Sequence, residues 1–347
     1  MSMRMTGLIL LLTAGAATAP LAADSIRVVA TVPNLGALAE EVGGDRVKVT
    51  TIALGLQDAH FVDPKPSFIV TLRSADLLLI NGLDLEIGWV PPLTQGARNT
   101  KVLHGGAGYI DCSRAIAVME IPSGPVSRAQ GDVHPYGNPH YLTDPLNAEI
   151  VAGEIAQALK TVSPADSGFF DKRLSDFTLR LHRAVFGPEL VDLIGGARLV
   201  RLARTGQLIP YLEETDLDGR SLVERLSGWM GRLRPFAGTK IVTYHRDYSY
   251  FANRFNLDIV DYVEPKPGIP PSAKHLADLN ERLGRGDVKL IITRPYVEHR
   301  STDRLGESSS IPVLVLPIET GAEEGMTDYF DIFDRVTFEI AKALGGS

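Results

Sequence analysis

The sequence predicts an α/β protein with two similar lobes, each containing a small parallel sheet flanked by helices, and a long helix that connects the lobes. The main observation is a repeat: residues 27–82 and 240–293 both follow the order strand, loop, helix, strand, Pro-rich loop, helix, strand. Short connections between such elements are typical of parallel sheets. Because loops at the carboxyl ends of parallel strands form ligand sites, we expect a site in the cleft between the lobes.

The predicted domain organisation has four parts. They are a signal peptide over residues 1–23, an N-terminal α/β lobe over 24–163, a connecting helix with a helical insertion over 164–238, and a C-terminal α/β lobe over 239–347. The first part has Arg4 followed by a short apolar run and small residues up to Ala23, which is typical of a cleaved secretory signal. This run is too short to favour a membrane anchor.

In the N-terminal lobe, apolar runs and helical periodicity alternate along the chain. The predicted strands are IRVVATV, RVKVTTIAL, DLLLING and KVLHG, and the predicted helices are NLGALAEEVGG, PSFIVTLRSA and a short one near LEIGWVPPLTQGA. Pro, Gly and Ser predict a loop over residues 122–139, which is followed by an amphipathic helix over 147–162.

The connector is predicted as a helix over residues 165–186, because its charges are mixed and its Leu and Phe residues are spaced at helical intervals. Residues 187–238 also have a helical pattern, but Gly-Pro, Gly-Gly and Pro210 interrupt it. Its arginines suit a solvated helical insertion, and a docking surface for a partner is the alternative. After the second repeat, VLVLPIETG predicts the last strand and DYFDIFDRVTFEIAKAL the terminal helix.

Composition excludes several functional classes. The chain has 347 residues, 44% of them hydrophobic, and a formal net charge of −7 with both signs interspersed. It therefore offers no basic stripe for nucleic acid and no polybasic segment for an anionic membrane. The one cysteine, Cys112, lies far from the signal, so we expect an exported periplasmic protein with neither a lipid anchor nor an intrachain disulfide.

Three histidines stand where ligand-binding loops are expected. His140 lies between Pro139 and Tyr141, on a Pro-restrained segment just before a predicted helix, while His60 and His245 follow strand-like runs. Neutral imidazole is a good ligand for zinc and related cations. These positions predict a metal site that would weaken below about pH 6, where free imidazoles become protonated.

A fourth ligand is less well defined by the sequence. Glu319 follows the last predicted strand and would reach the cleft, although an exposed loop acid is an equal alternative. Asp58 and Glu264 are weaker candidates. The remaining histidines are predicted as exposed loop, turn or surface residues: His134, His104, His182, His275 and His299. For His134, transient metal capture is the alternative.

The motifs QDAHFVDPKPS, NPHYLTDPLNA, TYHRDYSYFANRF and VEPKPGIPPSAKHL occur in this order along the chain. Together they resemble the zinc- and manganese-specific solute-binding proteins of bacterial ABC importers, the metal-binding group with a rigid helix between lobes. The resemblance implies that His60, His140 and His245 bind the metal, with a carboxylate or water at or near Glu319. The sequence departs from the family pattern at Ala59, where Pro is usual, and at Leu316-Pro317, where an Asp-Pro pair is common.

The resemblance also implies a function and partners. Three nitrogen ligands favour Zn²⁺ as the transported ion, and manganese is the alternative. The partners would be the importer's membrane permease and a periplasmic metallochaperone, and the protein would act as a monomer without nucleic acid. A zinc-dependent hydrolase is the enzymatic alternative, although the sequence has neither an HExxH helix nor a GxSxG elbow. A binding protein for an organic ligand such as a siderophore or haem is a third possibility on the same architecture.

Overall fold

The computed structural model describes residues 25–124, 134–266 and 268–346. Its main features are two four-stranded parallel sheets, each flanked by helices, which confirms the predicted α/β two-lobe fold. The predicted signal segment lies outside the described residues. None of the helices described is both long and apolar enough to cross a membrane.

The N-terminal sheet contains the strands β1 (Ile26–Ala30), β2 (Val47–Thr51), β3 (Leu77–Ile80) and β4 (Tyr109–Asp111). They lie in the order β2-β1-β3-β4. Every side chain of the inner strand β3 is buried, as expected for a parallel sheet that is covered on both faces.

The C-terminal sheet repeats this topology. Its strands are β7 (Lys240–Thr243), β8 (Asp258–Tyr262), β9 (Val288–Thr293) and β10 (Val313–Val315), in the order β10-β9-β7-β8. In both lobes the first strand of the unit lies between the second and the third, and the fourth lies beyond the third. The repeat in the sequence is therefore a repeat of structure.

The helices begin where the sequence provides start signals. Pro145 opens the helix after His140, and the side chain of Asp144 caps it by accepting a hydrogen bond from the backbone N–H of Leu146. The helices are α1 (Pro33–Gly43), α2 (Pro66–Arg73), α3 (Val90–Ala97), α4 (Pro145–Val162), α5 (Ser167–Phe186), α6 (Pro188–Ile194), α7 (Gly196–Arg204), α8 (Leu208–Glu214), α9 (Gly228–Leu233), α10 (Ser249–Phe255), α11 (Ala273–Leu283), α12 (Arg300–Ser309) and α13 (Tyr329–Ala343).

Helix α5 contacts both lobes. Its Arg173 donates a hydrogen bond to the carbonyl oxygen of Glu41 in the N-terminal lobe. Its Phe177 is fully buried and packs edge-on against Phe330 of α13, with ring centroids 5.6 Å apart. Helix α5 therefore lies where a connecting helix is expected.

Two local predictions were wrong. KVLHG forms turns instead of a strand, because Gly105 adopts a φ of +82° and the chain becomes extended only at Tyr109. The insertion also contains a short antiparallel hairpin, β5 (Asp216–Leu217) with β6 (Arg220–Ser221). Asp218 and Gly219 both have positive φ in its turn, and this Asp-Gly pair was a readable hairpin signal.

Removing the Phe177 ring should test the connection made by α5. We expect Phe177→Ala to lower the free energy of unfolding by about 3–5 kcal/mol, because it leaves a cavity between the helix and α13. Leu179→Ala on the same helix is the matched control: Leu179 is 43% exposed, so the change should stay within about 1 kcal/mol. Urea denaturation measures both, and equal losses would contradict the bridging role.

Candidate metal centre

The three predicted histidines come together between the two sheets. His60 lies in the loop between β2 and α2, His140 lies just before α4, and His245 is the second residue after β7. One ring nitrogen of each lies within 4.8 Å of those of the other two. Three segments that are far apart in sequence therefore offer nitrogen ligands to one point in the cleft.

His60 is oriented by a neighbouring carboxylate. Asp58 Oδ1 accepts a hydrogen bond from the backbone N–H of His60 at 3.0 Å and lies 2.6 Å from its ring Nδ1. Burial opposes ionisation of Asp58, but the hydrogen bonds from His60 and the positive charge of Arg294 outweigh it and lower the pKa of Asp58 well below its usual range. The ionised carboxylate requires the proton on Nδ1, which leaves the lone pair of His60 on Nε2.

His134 also belongs to this site, and its prediction as an exposed loop residue was wrong. Its Nε2 lies 3.0 Å from His60 Nε2, on the side where the lone pair of His60 would bind an ion. Burial and the neighbouring His60 lower the pKa of His134 to about 4. The only hint in the sequence is the spacing of six residues from His140.

His140 is held by the backbone around it. Asn138 Oδ1 accepts from the N–H of His140 at 2.9 Å, and the Asn81 side chain donates to the carbonyl oxygen of Pro139 at 2.9 Å. Among the described residues, nothing hydrogen-bonds to the buried Nε2 of His140. Burial, followed by the charges of His60 and Arg294, lowers the pKa of His140, so the ring stays neutral and able to bind metal.

His245 is the most deeply buried of the three, with 4% of its surface exposed. Its Nδ1 has no hydrogen-bond partner within the described part of the chain, and Glu264 Oε1 lies 3.8 Å away. Burial, followed by the charge of Arg294, lowers the pKa of His245. A buried imidazole nitrogen without a partner is costly, so its presence points to a ligand.

Glu319 lies on the same small cavity as His60 and His140 but outside the 4.8 Å group. One of its oxygens accepts from the backbone N–H of Asn34 at 2.9 Å. Burial raises the pKa of Glu319 to about 8, only partly offset by this hydrogen bond. Without a bound cation the side chain is therefore largely protonated at neutral pH.

The other candidates have different roles. Asp58 orients His60, and Glu264 is nine-tenths buried beside His245. His104 is exposed against Tyr109, as predicted for a turn residue. The prediction of a surface position for His182 was wrong, because it is 5% exposed and faces Glu149.

Hydrogen bonds tie the lobes together around the histidines. Asn34 at the start of α1 donates to the carbonyl oxygen of Ile318 at 2.8 Å and accepts from the N–H of Thr320 at 3.0 Å. The hydroxyl of Tyr250 donates to the carbonyl oxygen of Asn138 at 2.8 Å, across the other side of the site. These contacts set the separation of the ligand-bearing loops.

The sequence of this chain matches one family of known proteins. The model of one family, described as "ZnuA: Zinc-uptake complex component A periplasmic", matches residues 28–185 and 224–343. The chain belongs to this family. Curated relatives of the chain are named as substrate-binding proteins of ABC transporters. The residues between the two matched ranges contain α6 to α8 and the hairpin, so this part of the insertion lies outside the family match.

Curated relatives carry the names of several metals. The chain is 27% identical over 163 residues to the manganese ABC transporter substrate-binding lipoprotein PsaA of Streptococcus anginosus, covering 46% of this chain and 49% of that protein. The match thus spans about half the length of the first curated relatives. A PsaA of Streptococcus pneumoniae is 25% identical over 92% of this chain and 89% of its own. The iron ABC transporter substrate-binding lipoprotein MtsA of Streptococcus pyogenes serotype M1 is 26% identical over 46% of this chain and 49% of its own.

Solved structures share the fold. A zinc-bound deletion mutant of ZnuA has a TM-score of 0.66 at 20% identity, covering 93% of this chain and 99% of its own. A Mn-bound periplasmic metal-binding protein from Candidatus Liberibacter asiaticus has a TM-score of 0.61 at 17% identity, covering 92% of this chain and 99% of its own. At these identities the likeness establishes the architecture.

The raised pKa of Glu319 predicts a pH-dependent cost to stability. Above about pH 4.5 the unfolded carboxyl loses its proton while the folded one keeps it up to about pH 8, so this group makes the folded state less stable as pH rises through that range. We expect metal-stripped Glu319→Gln to be more stable than the parent by about 1–3 kcal/mol at pH 7, and the gap should close toward pH 5. Chemical denaturation at both pH values measures it, and a gap independent of pH would contradict the assignment.

Proposed function

We propose that this protein captures Zn²⁺ outside the cytoplasm and delivers it to the membrane permease of an ABC importer. The observation that carries the proposal is the convergence of His60, His140 and His245 within 4.8 Å in the cleft between two lobes. Family membership supports a transported ion over a resident cofactor. The metal is therefore cargo, and the site has to bind it reversibly.

Zinc is preferred over manganese because of the donor set. Three neutral imidazole nitrogens suit zinc, whereas manganese prefers more oxygen ligands. Some relatives are named for manganese and others for iron, and manganese is the alternative cargo. The family description, which names zinc uptake, agrees with the nitrogen-rich site.

The spacing of the nitrogens is compatible with one zinc ion. In tetrahedral zinc coordination the Zn–N distance is about 2.0–2.1 Å, so bound nitrogens lie roughly 3.4 Å apart, which falls within the 4.8 Å spread of the histidine group. His134 must give up its contact with His60 Nε2. For the fourth position we propose Glu319, or a water molecule that Glu319 holds, because both fit the half-buried carboxyl on the shared cavity.

The size of the cavity argues against an organic ligand. The space lined by His60, His140 and Glu319 measures about 20 Å³, enough for one water-sized body. The adjoining space, which His134, His140 and His245 line, measures about 240 Å³, whereas a siderophore or haem would need several hundred Å³. A hydrolase would need a free general base, but the carboxylate of Asp58 is engaged by His60.

The location and partners follow from the same proposal. We propose an exported, periplasmic protein that acts as a monomer and receives its ion either free or from a periplasmic metallochaperone. Several relatives are named lipoproteins, yet Cys112 is fully buried in the N-terminal lobe, which supports export without lipid attachment at that residue. The net charge of −7 favours a small cation over nucleic acid.

Loss of one histidine should abolish high-affinity binding. In isothermal titration of metal-stripped protein with zinc, we expect His140→Ala to weaken binding by more than about 100-fold, because the site keeps only two nitrogen ligands. His104→Ala, which removes an exposed imidazole away from the cleft, should bind like the parent. Equal affinity of the parent and His140→Ala would overturn the proposed site.

The identity of the cargo can be tested by elemental analysis. Protein exported by its host and purified without a metal-affinity tag should contain about one zinc per chain, because nitrogen ligands select zinc where several metals compete. Growth in medium with equal zinc, manganese and iron provides the competition. A manganese or iron content above that of zinc would contradict the zinc assignment while leaving the metal site intact.

A further inference from the structure

A buried guanidinium lies beside the histidine group. Arg294 follows the carboxyl end of β9 and is only 3% exposed. Burying a charge is costly unless other charges or hydrogen bonds compensate for it. An arginine at this depth, next to a site for a cation, therefore needs an explanation.

Each nitrogen of this guanidinium faces a different partner. Nε lies 3.0 Å from Asp247 Oδ2, an ion pair without the alignment of a hydrogen bond. Nη1 donates to the hydroxyl of Tyr296 at 3.3 Å. Nη2 lies 3.9 Å from Asp58 Oδ2. Asp247 and Tyr296 belong to the C-terminal lobe, whereas Asp58 belongs to the N-terminal lobe, so Arg294 bridges the cleft.

The two oxygens of Asp58 thus have separate tasks. Oδ1 accepts from the backbone N–H of His60 and lies 2.6 Å from its Nδ1, while Oδ2 faces Arg294. A continuous chain of charged and polar groups runs from Asp247 through Arg294 and Asp58 to His60. Groups that contact a metal-binding histidine without binding the metal themselves fix its tautomer and its orientation.

We propose that Arg294 is a positioning residue that acts through Asp58 to fix the tautomer and orientation of His60 for metal binding. The inference rests on the proposed function, since it concerns the same site. It assigns a role to a residue that is itself not a ligand. Arg294 also links this orientation to the approach of the lobes, because the carboxylate and the guanidinium come from opposite sides of the cleft.

The sign of the expected effect separates this role from simple electrostatics. A positive charge close to a bound cation repels it, so charge alone predicts that removing Arg294 tightens metal binding. A positioning role predicts that removing Arg294 weakens metal binding, because Asp58 then loses its partner across the cleft and orients His60 less firmly.

The test is a double-mutant cycle with zinc in isothermal titration. We expect Arg294→Gln and Asp58→Asn each to weaken binding by roughly 10- to 100-fold, and the double variant to be no weaker than the worse single one. Arg300→Gln, which removes an exposed arginine at the start of α12, should bind like the parent. Unchanged or tighter binding by Arg294→Gln, or additive losses in the cycle, would overturn the inference.

A second readout needs no metal and distinguishes failure of the inference from failure of the proposed function. Nitrogen NMR of the metal-stripped parent should show His60 protonated on Nδ1, and Arg294→Gln should show a mixture of the two tautomers. A single Nδ1-protonated form in both proteins would overturn the inference. If Arg294→Gln does not fold, Arg294→Lys replaces it, since it keeps the charge opposite Asp247 but loses the fork toward Asp58, and the same outcomes apply.

Discussion

The structure depends on keeping imidazole nitrogens in a buried crevice without hydrogen bonds from the protein. His140 Nε2 and His245 Nδ1 have no partner among the described residues, and each such atom costs about 1–3 kcal/mol when no ion is bound. Burial also lowers the pKa of both rings, which keeps their lone pairs available. The rest of the fold can be understood as the support that holds these nitrogens close together despite that cost.

This support comes from both lobes. Parallel strands bring their carboxyl ends to the cleft, where the loops with His60 and His245 begin, and the capped start of α4 fixes the segment with His140. Asn34 and Tyr250 hydrogen-bond across the cleft on either side of the site. The polar contacts around the ion's position are thus distributed over segments that meet only in the folded chain.

Much of this could be predicted from the sequence. The repeated order of strands and helices indicated the two lobes, and the positions of His60, His140 and His245 after strands or before a helix predicted their convergence. The distances between side chains at the site could not be predicted from the sequence, because they depend on how the loops pack across the cleft. For that reason His134, which touches His60, and Arg294, which pairs with Asp58, were not recognised, and Glu319 was placed near the site without its contact to Asn34.

The most direct test is a crystal structure of the zinc-loaded protein with anomalous scattering recorded at the zinc edge. We expect one strong anomalous peak in the cleft, about 2.0–2.1 Å from a ring nitrogen of each of His60, His140 and His245. A peak elsewhere on the molecule, or one bound by fewer than three of these rings, would contradict the central claim that imidazoles from separate segments share one divalent ion.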